Sequence, residues 1–438
     1  MSRIIVIGAG VMGLAAAYQG LVDGQEVEIF EAGPEPGGMA AHFDFGGLSI
    51  ERFYHFVCKS DYSTFQLLAE LGIADKIRWV PTSMGFFHDG KLHQWGNPIA
   101  LLQLPGISLL SKLRYGMFIF GCMRHKHWPE LEFETARHWI TRYCGPDIYD
   151  SFWRPLLEYK YYEYADNISA AWIWTRIRRI GNSRKNLMQE ELGYIHGGSE
   201  TLVAALLQAI EQRGGRIHLN APVQRVTVEG DRVTGITALG THFSADRVIS
   251  TVPTPLVARM VPDLPAAWKA RYDAIHNIGV ICVIFKLRRS LSPHFWVNIS
   301  QEGVEIPGIV EFSNLRPLGN GVSVVYVPYY MPISHPKFFW SDAKLQEEAF
   351  SCLERINPSF TTHDVVDVKV TRLKHGQPVC EPGFAAKIPP MQTPIQGLQV
   401  ADTSFYYPED RGISESVRVG RRMARAGSSR LSQTRKTA

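Results

Sequence analysis

The chain has 438 residues, of which 45% are hydrophobic and 20% are charged, so a large buried core is expected and wholesale disorder is excluded. A length of this order predicts about two or three domains. The 46 Lys and Arg residues exceed the 42 Asp and Glu residues by a net charge of only +4, which is too small to indicate nucleic-acid binding.

The six cysteines stand singly along the chain, without a CxxC pair or a Cys/His spacing typical of zinc. We therefore expect no metal site and no disulfide framework, and a reducing, cytoplasmic compartment is favoured. The uncharged stretch 4–22 has nearly the length of a membrane span, but it contains four glycines and divides into a β-branched run and a small-residue stretch. A targeting or membrane-spanning role is the less favoured interpretation.

A βαβ unit opens the chain. Residues 4–7 are a β-branched run that predicts a buried parallel strand, residues 14–21 predict a helix, and residues 26–30 predict a second strand. Gly8, Gly10 and Gly13 lie between the first strand and the helix. In this motif the first glycine permits a tight turn, the second lets the backbone approach a pyrophosphate, and the third lets the helix pack closely on the strand. Because the helix start also offers free N–H groups to phosphates, the unit predicts a dinucleotide site.

Glu31 ends the second predicted strand, where its carboxylate can accept hydrogen bonds from ribose hydroxyls. A carboxylate at this position argues against a 2′-phosphate and therefore against NADP. It does not distinguish NAD from FAD.

Several further motifs follow in a fixed order. Residues 31–40 are an acid, a loop and the pair Gly37-Gly38, and residues 197–226 predict a glycine turn, a helix and two short strands. Residues 245–253 predict a strand that returns to the first domain. Near the carboxyl terminus, residues 397–402 predict a strand that ends at Asp402, and residues 412–417 predict the start of a helix. Together these motifs resemble the flavin amine oxidase and protoporphyrinogen oxidase superfamily, which includes UDP-galactopyranose mutase, phytoene desaturase-like enzymes and the Rab GDP-dissociation inhibitors. The resemblance spans most of the chain.

The resemblance implies an α/β fold, with a Rossmann-like FAD-binding domain of the GR2 type and an inserted α+β substrate domain. The FAD domain would combine residues 1–80, 190–255 and 390–425, and the substrate domain, or cap, would combine 81–189 and 256–389. Residues 426–438 are rich in Ser, Arg, Lys and Thr without an apolar period, and they predict a disordered basic tail.

The same resemblance implies the FAD contacts. The expected cofactor-binding residues are Gly8, Gly10, Val11, Met12, Gly13, Glu31, Ala32, Gly37, Gly38, Met39, Val223, Asp402, Ser416 and Val417. Met39 stands where many members have an arginine, and Ala401 stands where the family has a glycine before the aspartate.

Four residues are candidates for the reaction itself. In UDP-galactopyranose mutase-like members a Gly-Pro-His element approaches the isoalloxazine ring; here Tyr54 replaces the proline and His55 keeps the imidazole. His55 could bond the flavin or act as an acid or base, or it could be a core histidine on a strand. Lys160, in an aromatic segment that also holds Arg176, is an anion-binding candidate or a lysine that reaches to solvent.

The remaining two candidates lie near the carboxyl terminus. Tyr406 or Tyr407 is expected to face the flavin ring, and we take Tyr407 as the candidate. Arg411 is expected to hold a substrate anion, because a guanidinium binds a carboxylate or phosphate through two hydrogen bonds. The alternative for Arg411 is a structural ion pair with Glu409, Asp410 or Glu415.

The segment 100–128 is apolar and aromatic with a few Lys and Arg residues. Its uncharged run is too short to span a bilayer. A core helix of the cap is the favoured interpretation, while a tunnel wall or a peripheral contact with a membrane face are the alternatives.

These expectations predict an FAD-dependent oxidoreductase that oxidises a C–H or C–N bond of a largely apolar or anionic small molecule. One alternative is a non-redox flavin enzyme of the UDP-galactopyranose mutase type, acting on a sugar nucleotide or a lipid-linked sugar. A second alternative is a flavin-free lipid-binding protein on the same scaffold, which the intact glycines, Glu31 and Asp402 count against.

Overall fold

The computed structural model describes residues 2–125, 127–319 and 321–434. Within them, a parallel sheet of five strands runs in the spatial order Leu398–Val400, Arg247–Ser250, Arg3–Ile7, Glu26–Phe30 and Arg216–His218. The strands come from the three separate segments that the sequence predicts to share one domain. The central strand is buried from Ile4 to Ile7 because other elements cover both faces of the sheet.

The first helix, Val11–Val22, is buried from Val11 to Gly20. It packs between the parallel sheet and the helices Ser199–Gln212 and Ile413–Thr434. A Cβ atom on Gly13 would come within 1.9 Å of the Gly8 carbonyl oxygen, so only glycine lets the helix begin directly against the strand. This is the packing function that the sequence predicts for Gly13.

A second, mixed sheet has seven strands in the part of the chain that the structure describes. Their spatial order is Val365–Pro378, Asn277–Leu287, Ser323–Pro332, Gly308–Glu311, Trp296–Ile299, Met84–His88 and Lys91–Trp95, and neighbours are antiparallel except for the pair Trp296–Ile299 and Met84–His88. All of these strands come from the ranges predicted for the inserted domain. The strand Ser323–Pro332 is buried along its whole length, which fits its near-continuous apolar sequence.

Smaller sheets and further helices complete the fold. The smaller sheets pair Val223–Glu229, Arg232–Ala238 and Thr241–Ser244; His42–Asp44 with Ser49–Glu51; and Ile77–Thr82 with Glu190–Ile195. The other α-helices are Tyr62–Glu70, Pro98–Gln103, Leu109–Arg124, Ala136–Cys144, Pro146–Ile148, Arg154–Tyr161, Ala170–Asn182, Thr254–Met260, Ala266–Asp273, Asp342–Ile356 and Phe384–Lys387.

Four of these helices form a cap that shares an aromatic core: Leu109–Arg124, Ala136–Cys144, Arg154–Tyr161 and Ala170–Asn182. Among the described residues, no helix combines the length and the apolar character needed to cross a membrane.

The last helix differs from the expectation for the carboxyl terminus. The sequence predicts a disordered tail over 426–438, whereas the helix Ile413–Thr434 continues through most of that range. Residues 426–434 include Ala, Arg, Leu and Gln, which favour helix and can extend one that is already formed. Residues 435–438 lie outside the described residues.

Candidate functional site

A cavity of about 430 Å³ lies where the two large sheets meet the helical cap. One end is lined by the glycine-rich turn and the loop 37–40. The other end is lined by residues of five strands of the large mixed sheet and by the helices Arg154–Tyr161 and Ala170–Asn182. The segment 402–416 runs along the wall between the two ends. A cavity of this size, lined by both large sheets and the cap, is typical of a site for a small molecule or cofactor.

The glycine-rich turn and the glycine pair pack against each other at the first end. Gly8 has a φ of 98°, in the left-handed region that favours glycine. The Gly37 N–H donates to the carbonyl oxygen of Ala9 at 2.8 Å. A Cβ atom added to Gly10 would meet nothing closer than the Cα of Gly38, at 4.0 Å, although Gly10 lines the cavity. The turn therefore keeps open a space beside Gly10 that a side chain would fill, and this cradle fits a pyrophosphate.

The start of the first helix faces the same space. Gly10 is the residue before the helix, and no side chain caps the first turn. Val11 and Met12, the first two helical residues, line the cavity. Their N–H groups have no intrahelical acceptor, so the helix start can donate hydrogen bonds to phosphate oxygens.

Glu31 holds the turn in place from the end of the second strand. Its Oε2 accepts a hydrogen bond from the Ala9 N–H at 2.7 Å, and its Oε1 accepts one from the Gly33 N–H at 2.8 Å. Glu31 also lines the cavity. Each carboxylate oxygen can accept more than one hydrogen bond, so Glu31 can bind ribose hydroxyls while it fixes the turn.

Asp402 connects two loops in the cavity wall. Its Oδ2 accepts from the Thr254 N–H at 2.7 Å, and its Oδ1 accepts from the Ser404 N–H at 2.9 Å. Asp402 is buried. Asp402 thus joins the end of the strand Leu398–Val400 to the start of the helix Thr254–Met260. These hydrogen bonds fix the part of the cavity wall where the resemblance places the aspartate that contacts FAD.

The structure brings together most of the expected cofactor residues. Those in the cavity wall are Gly8, Gly10, Val11, Met12, Glu31, Gly37, Gly38, Met39, Asp402 and Ser416. Four lie elsewhere: Gly13 packs against Gly8, Ala32 is exposed, Val223 is half-buried on a neighbouring strand, and Val417 is fully buried in the core of the parallel sheet.

Lys160 lies in the inner wall of the cavity among aromatic rings. Its Nζ is 4.8 Å from the ring centre of Tyr330 and 5.1 Å from that of Trp172. The side chain is only 6% exposed, so it does not reach bulk solvent. Burial lowers the pKa of Lys160 well below its usual range, and the nearby Arg176 lowers it further.

Arg411 also lines the inner wall. The sequence offers an ion pair between Arg411 and a neighbouring carboxylate as the alternative to substrate binding, but a different arginine pairs with Asp410. Asp410 pairs with Arg176. Burial raises the pKa of Asp410, but Arg176, Lys160 and Arg411 together hold it below its usual value. Arg411 donates instead to the carbonyl oxygen of Gly376, and to the hydroxyl of Tyr330 at 3.3 Å.

His55 is partly buried in the same wall. Burial lowers its pKa from 6.5 to about 4, so the imidazole is uncharged at neutral pH. Its Nδ1 is buried without a hydrogen-bond partner among the described residues. An uncharged imidazole with an unused nitrogen at the cavity is available to a bound molecule.

The structure places Tyr407 away from the cavity. Its hydroxyl bonds Ser169 at 2.8 Å and donates to Glu132, and its ring packs on Trp128 and Phe384 in the cap. Tyr406 lines the cavity instead. Of the two adjacent tyrosines, Tyr406 therefore lies in the cavity wall and Tyr407 lies outside it, because a short 3₁₀ turn, Thr403–Tyr406, sets which ring turns inward.

Sequence reasoning missed part of the inner wall. Alternate residues on three neighbouring strands line it: Val280 and Cys282, Pro328 and Tyr330, and Leu373 and His375. A spacing of two is the strand period. The strands Asn277–Leu287 and Ser323–Pro332 are apolar on both faces. Their sequences therefore lack the alternation of polar and apolar residues that would indicate which face points toward the cavity.

The chain belongs to the family described as flavin containing amine oxidoreductase, whose pattern matches residues 12–426. It is therefore a flavin-dependent oxidoreductase, and its cofactor is FAD. The residues of the cradle fit the dinucleotide part of this cofactor. The flavin-free lipid-binding protein is accordingly set aside.

Three similar proteins are informative. The 15-cis-phytoene desaturase of Synechococcus elongatus is 23% identical over 320 residues, which cover 66% of each chain. A candidate protoporphyrinogen oxidase from Exiguobacterium sp. 255-15 has a TM-score of 0.75 at 18% identity, over 97% of this chain and 98% of that one. A reduced UDP-galactopyranose mutase has a TM-score of 0.73 at 17% identity, over 97% of this chain and 93% of that one. The structural likenesses establish the fold, and the chain spans only about two thirds of the desaturase.

Proposed function

We propose that the protein oxidises a C–H or C–N bond of a small molecule that carries an anionic group, by hydride transfer to FAD. The observation that supports the anionic group is the pair Lys160 and Arg411. Both line the inner wall of the cavity, and neither forms an ion pair with any residue that the structure describes. The aromatic rings beside them supply apolar surface for the rest of the molecule.

The charge at the inner end favours an anion. Among the residues that the structure describes, Asp410 supplies the one carboxylate that Lys160, Arg176 and Arg411 share. A buried cation without a counter-charge is costly, and a bound carboxylate or phosphate would offset that cost. Burial and the neighbouring arginines also lower the pKa of Lys160. An anion that binds beside the amine would therefore favour the protonated form of Lys160.

Each part of the wall has a separate part in the proposed reaction. Lys160 and Arg411 bind and orient the anionic group, and Tyr54, Tyr330 and Trp296 exclude water from the reacting carbon. His55 is uncharged at neutral pH and can accept a proton from a substrate N–H or O–H group. Bound FAD supplies the two-electron acceptor for the hydride.

The experiment uses the purified holoprotein and two probes of similar shape, benzoate and benzyl alcohol. We expect benzoate to perturb the visible absorbance of the flavin with a measurable Kd and benzyl alcohol to bind much more weakly. Lys160→Met and Arg411→Met should each weaken benzoate binding by about ten-fold or more, because each removes a charge-assisted hydrogen bond. The control is Lys344→Met, since Lys344 also lies against an aromatic ring, Trp340, but outside the cavity.

The outcomes separate the two parts of the proposal. The claim that the substrate carries an anionic group is contradicted if benzoate leaves the flavin absorbance of the yellow protein unchanged. It is also contradicted if the Lys160→Met and Arg411→Met variants bind benzoate as the parent does. Neither result contradicts the redox reaction. A flavin that no candidate anion or amine reduces under anaerobic conditions contradicts the redox reaction.

The non-redox alternative has some support from the same cation excess, because a sugar nucleotide also carries phosphate groups. The likeness to UDP-galactopyranose mutase adds little, since it shows the fold. Turnover that needs pre-reduced flavin and consumes no electron acceptor would favour this alternative over oxidation.

A further inference from the structure

One helix of the cap exposes an apolar surface to solvent. Along Leu109–Arg124, one side carries the apolar residues Leu109, Leu110, Leu113, Met117 and Phe120, which are between 52% and 67% exposed, together with the exposed Arg114 and Arg124. We call these seven residues the outer face. Surface helices normally place apolar residues inward, so an apolar stripe on the solvent side calls for a partner.

The opposite side of the helix is already fully used by the fold. Tyr115, Phe118 and Cys122 are buried in the aromatic core of the cap. The Trp174 indole N–H donates to the carbonyl oxygen of Cys122 at 3.0 Å. The outer face is therefore not needed to hold the helix in place. The helix serves both as the cap core that the sequence favoured and as an exposed surface.

The neighbouring helix extends the apolar surface. Ile99 and Leu102, on Pro98–Gln103, are 54% and 47% exposed. The Lys112 Nζ donates to the carbonyl oxygen of Leu102 at 2.8 Å and so ties the two helices together. Two adjacent, fixed helices thus present large apolar side chains to solvent.

The charge of this segment has a single sign. From Gly90 to Pro129 the sequence contains no Asp or Glu, while it contains Lys91, Lys112, Arg114, Arg124 and Lys126. The guanidinium of Arg124 lies 4.3 Å from the ring centre of Phe120, so a cation sits directly beside the apolar stripe. Apolar side chains flanked by arginines are the pattern of a helix that lies in the interface of an anionic bilayer.

A second copy of the chain fits this surface less well. A symmetric dimer would place the outer face against its own image. The outer face carries Arg114 and Arg124 but no carboxylate that could pair with the arginines of the other copy. An anionic lipid surface supplies the missing negative charge.

We propose that the outer face docks on the surface of a membrane that contains anionic phospholipids. The apolar side chains enter the boundary between headgroups and acyl chains, and Arg114 and Arg124 contact lipid phosphates. The docked helix packs on Ala170–Asn182, which supplies Arg176 and Arg179 to the cavity wall. The docked helix and Ala170–Asn182 therefore separate the membrane surface from the FAD cavity.

The test is co-sedimentation of the holoprotein with vesicles of phosphatidylcholine, with and without a minority of phosphatidylglycerol. We expect binding to the anionic vesicles, weakened by salt. The double variant Leu110→Ser/Met117→Ser should lower the binding constant by about ten-fold or more. Arg114→Gln/Arg124→Gln keeps the apolar stripe, and it should lower the binding constant by about five-fold per arginine and reduce the salt dependence.

The control is Leu187→Ser/Phe339→Ser, which removes two side chains that are 75% and 73% exposed but lie outside the outer face. This variant should bind vesicles as the parent does. Equal flavin content and melting temperature in all variants would show that they are folded, as expected for exposed positions. The proposal is overturned if the parent binds no vesicles, if the outer-face variants bind like the control, or if the parent is a dimer that Leu110→Ser/Met117→Ser dissociates.

Discussion

Gly10 and Gly13 belong to the same turn, but the structure gives them different functions. Gly13 leaves no room for a side chain, because a Cβ atom would lie 1.9 Å from the Gly8 carbonyl oxygen. Gly10 has an extended backbone with a φ of −67°, which any residue adopts, and its Cβ would meet nothing closer than the Cα of Gly38, at 4.0 Å. Gly13 is needed by the fold, whereas Gly10 keeps space for a ligand.

This difference predicts two separate effects of the same substitution. Gly13→Ala should lower the free energy of unfolding by about 1–3 kcal/mol, because the helix must move away from the strand. Gly10→Ala should leave the free energy of unfolding of the apoprotein within about 0.5 kcal/mol of the parent and weaken FAD binding by at least ten-fold. Urea unfolding of the apoproteins and FAD titration measure the two quantities. A Gly10→Ala protein that binds FAD like the parent would refute the assignment of this space to the cofactor.

His55 makes stability depend on pH. Its pKa is about 4 in the folded protein and near 6.5 when unfolded. Between these values the unfolded chain binds a proton that the folded protein does not, so the stabilisation present above about pH 6.5 is lost as the pH falls toward 4. Between about pH 7 and pH 4.5, the parent should lose roughly 2 kcal/mol more stability than His55→Gln.

Urea unfolding of both proteins at the two pH values measures this difference. His127→Gln replaces an exposed histidine and should follow the parent. If His55→Gln and the parent lose the same stability, the lowered pKa of His55 in the folded protein is not the cause of the acid sensitivity.

At the scale of the element, the strand Gly308–Glu311 is fastened by its last residue. Glu311 is buried, and its carboxylate accepts hydrogen bonds from the Leu291 N–H at 2.8 Å, the Ser292 N–H at 2.8 Å and the Ser323 hydroxyl at 2.6 Å. The carboxylate thereby joins the loop that follows Asn277–Leu287 to the strands Gly308–Glu311 and Ser323–Pro332. These strands supply residues to the inner wall of the cavity.

Glu311→Gln keeps the shape of the side chain but turns one acceptor oxygen into a donor group. At least one buried N–H or O–H then loses its acceptor, and we expect a loss of about 2–3 kcal/mol in the free energy of unfolding. Glu302→Gln, in an exposed turn, should change it by less than about 0.5 kcal/mol. Equal midpoints of urea unfolding for the two variants would contradict this account of the strand.

At the scale of the whole molecule, the sequence predicts the parts that depend on neighbours in the chain. The β-branched run Ile4–Ile7, the glycines after it and Glu31 lie within a short stretch, and local geometry places them at one end of the cavity. The inner wall is different, because Lys160, Cys282 and Tyr330 come from a helix and two strands that are far apart in sequence. Their contact depends on how the cap packs on the large sheet, which no local pattern specifies, so Lys160 could only be a candidate.

The FAD cavity joins the segments of the chain that build the parallel sheet. Its wall includes residues 8–12 and 31–40, residues 251–253 and residues 402–416, and residues of the cap close the other side. A ligand that contacts all of them in the folded protein, and none of them together in the unfolded chain, stabilises the fold by mass action. The protein should therefore melt at a higher temperature with FAD than without it, and the rise should grow with the FAD concentration.

At a free FAD concentration of about one hundred times the Kd, the stabilisation should reach about 2.7 kcal/mol. NAD shares the adenosine and pyrophosphate with FAD but has no flavin to contact the inner wall, so it should raise the melting temperature less. Riboflavin, which lacks the part that the glycine cradle would hold, should also raise it less. Thermal melts of the apoprotein in the presence of each ligand test this order. A melting temperature that FAD and NAD raise equally would mean that only the glycine-rich end of the cavity binds the cofactor.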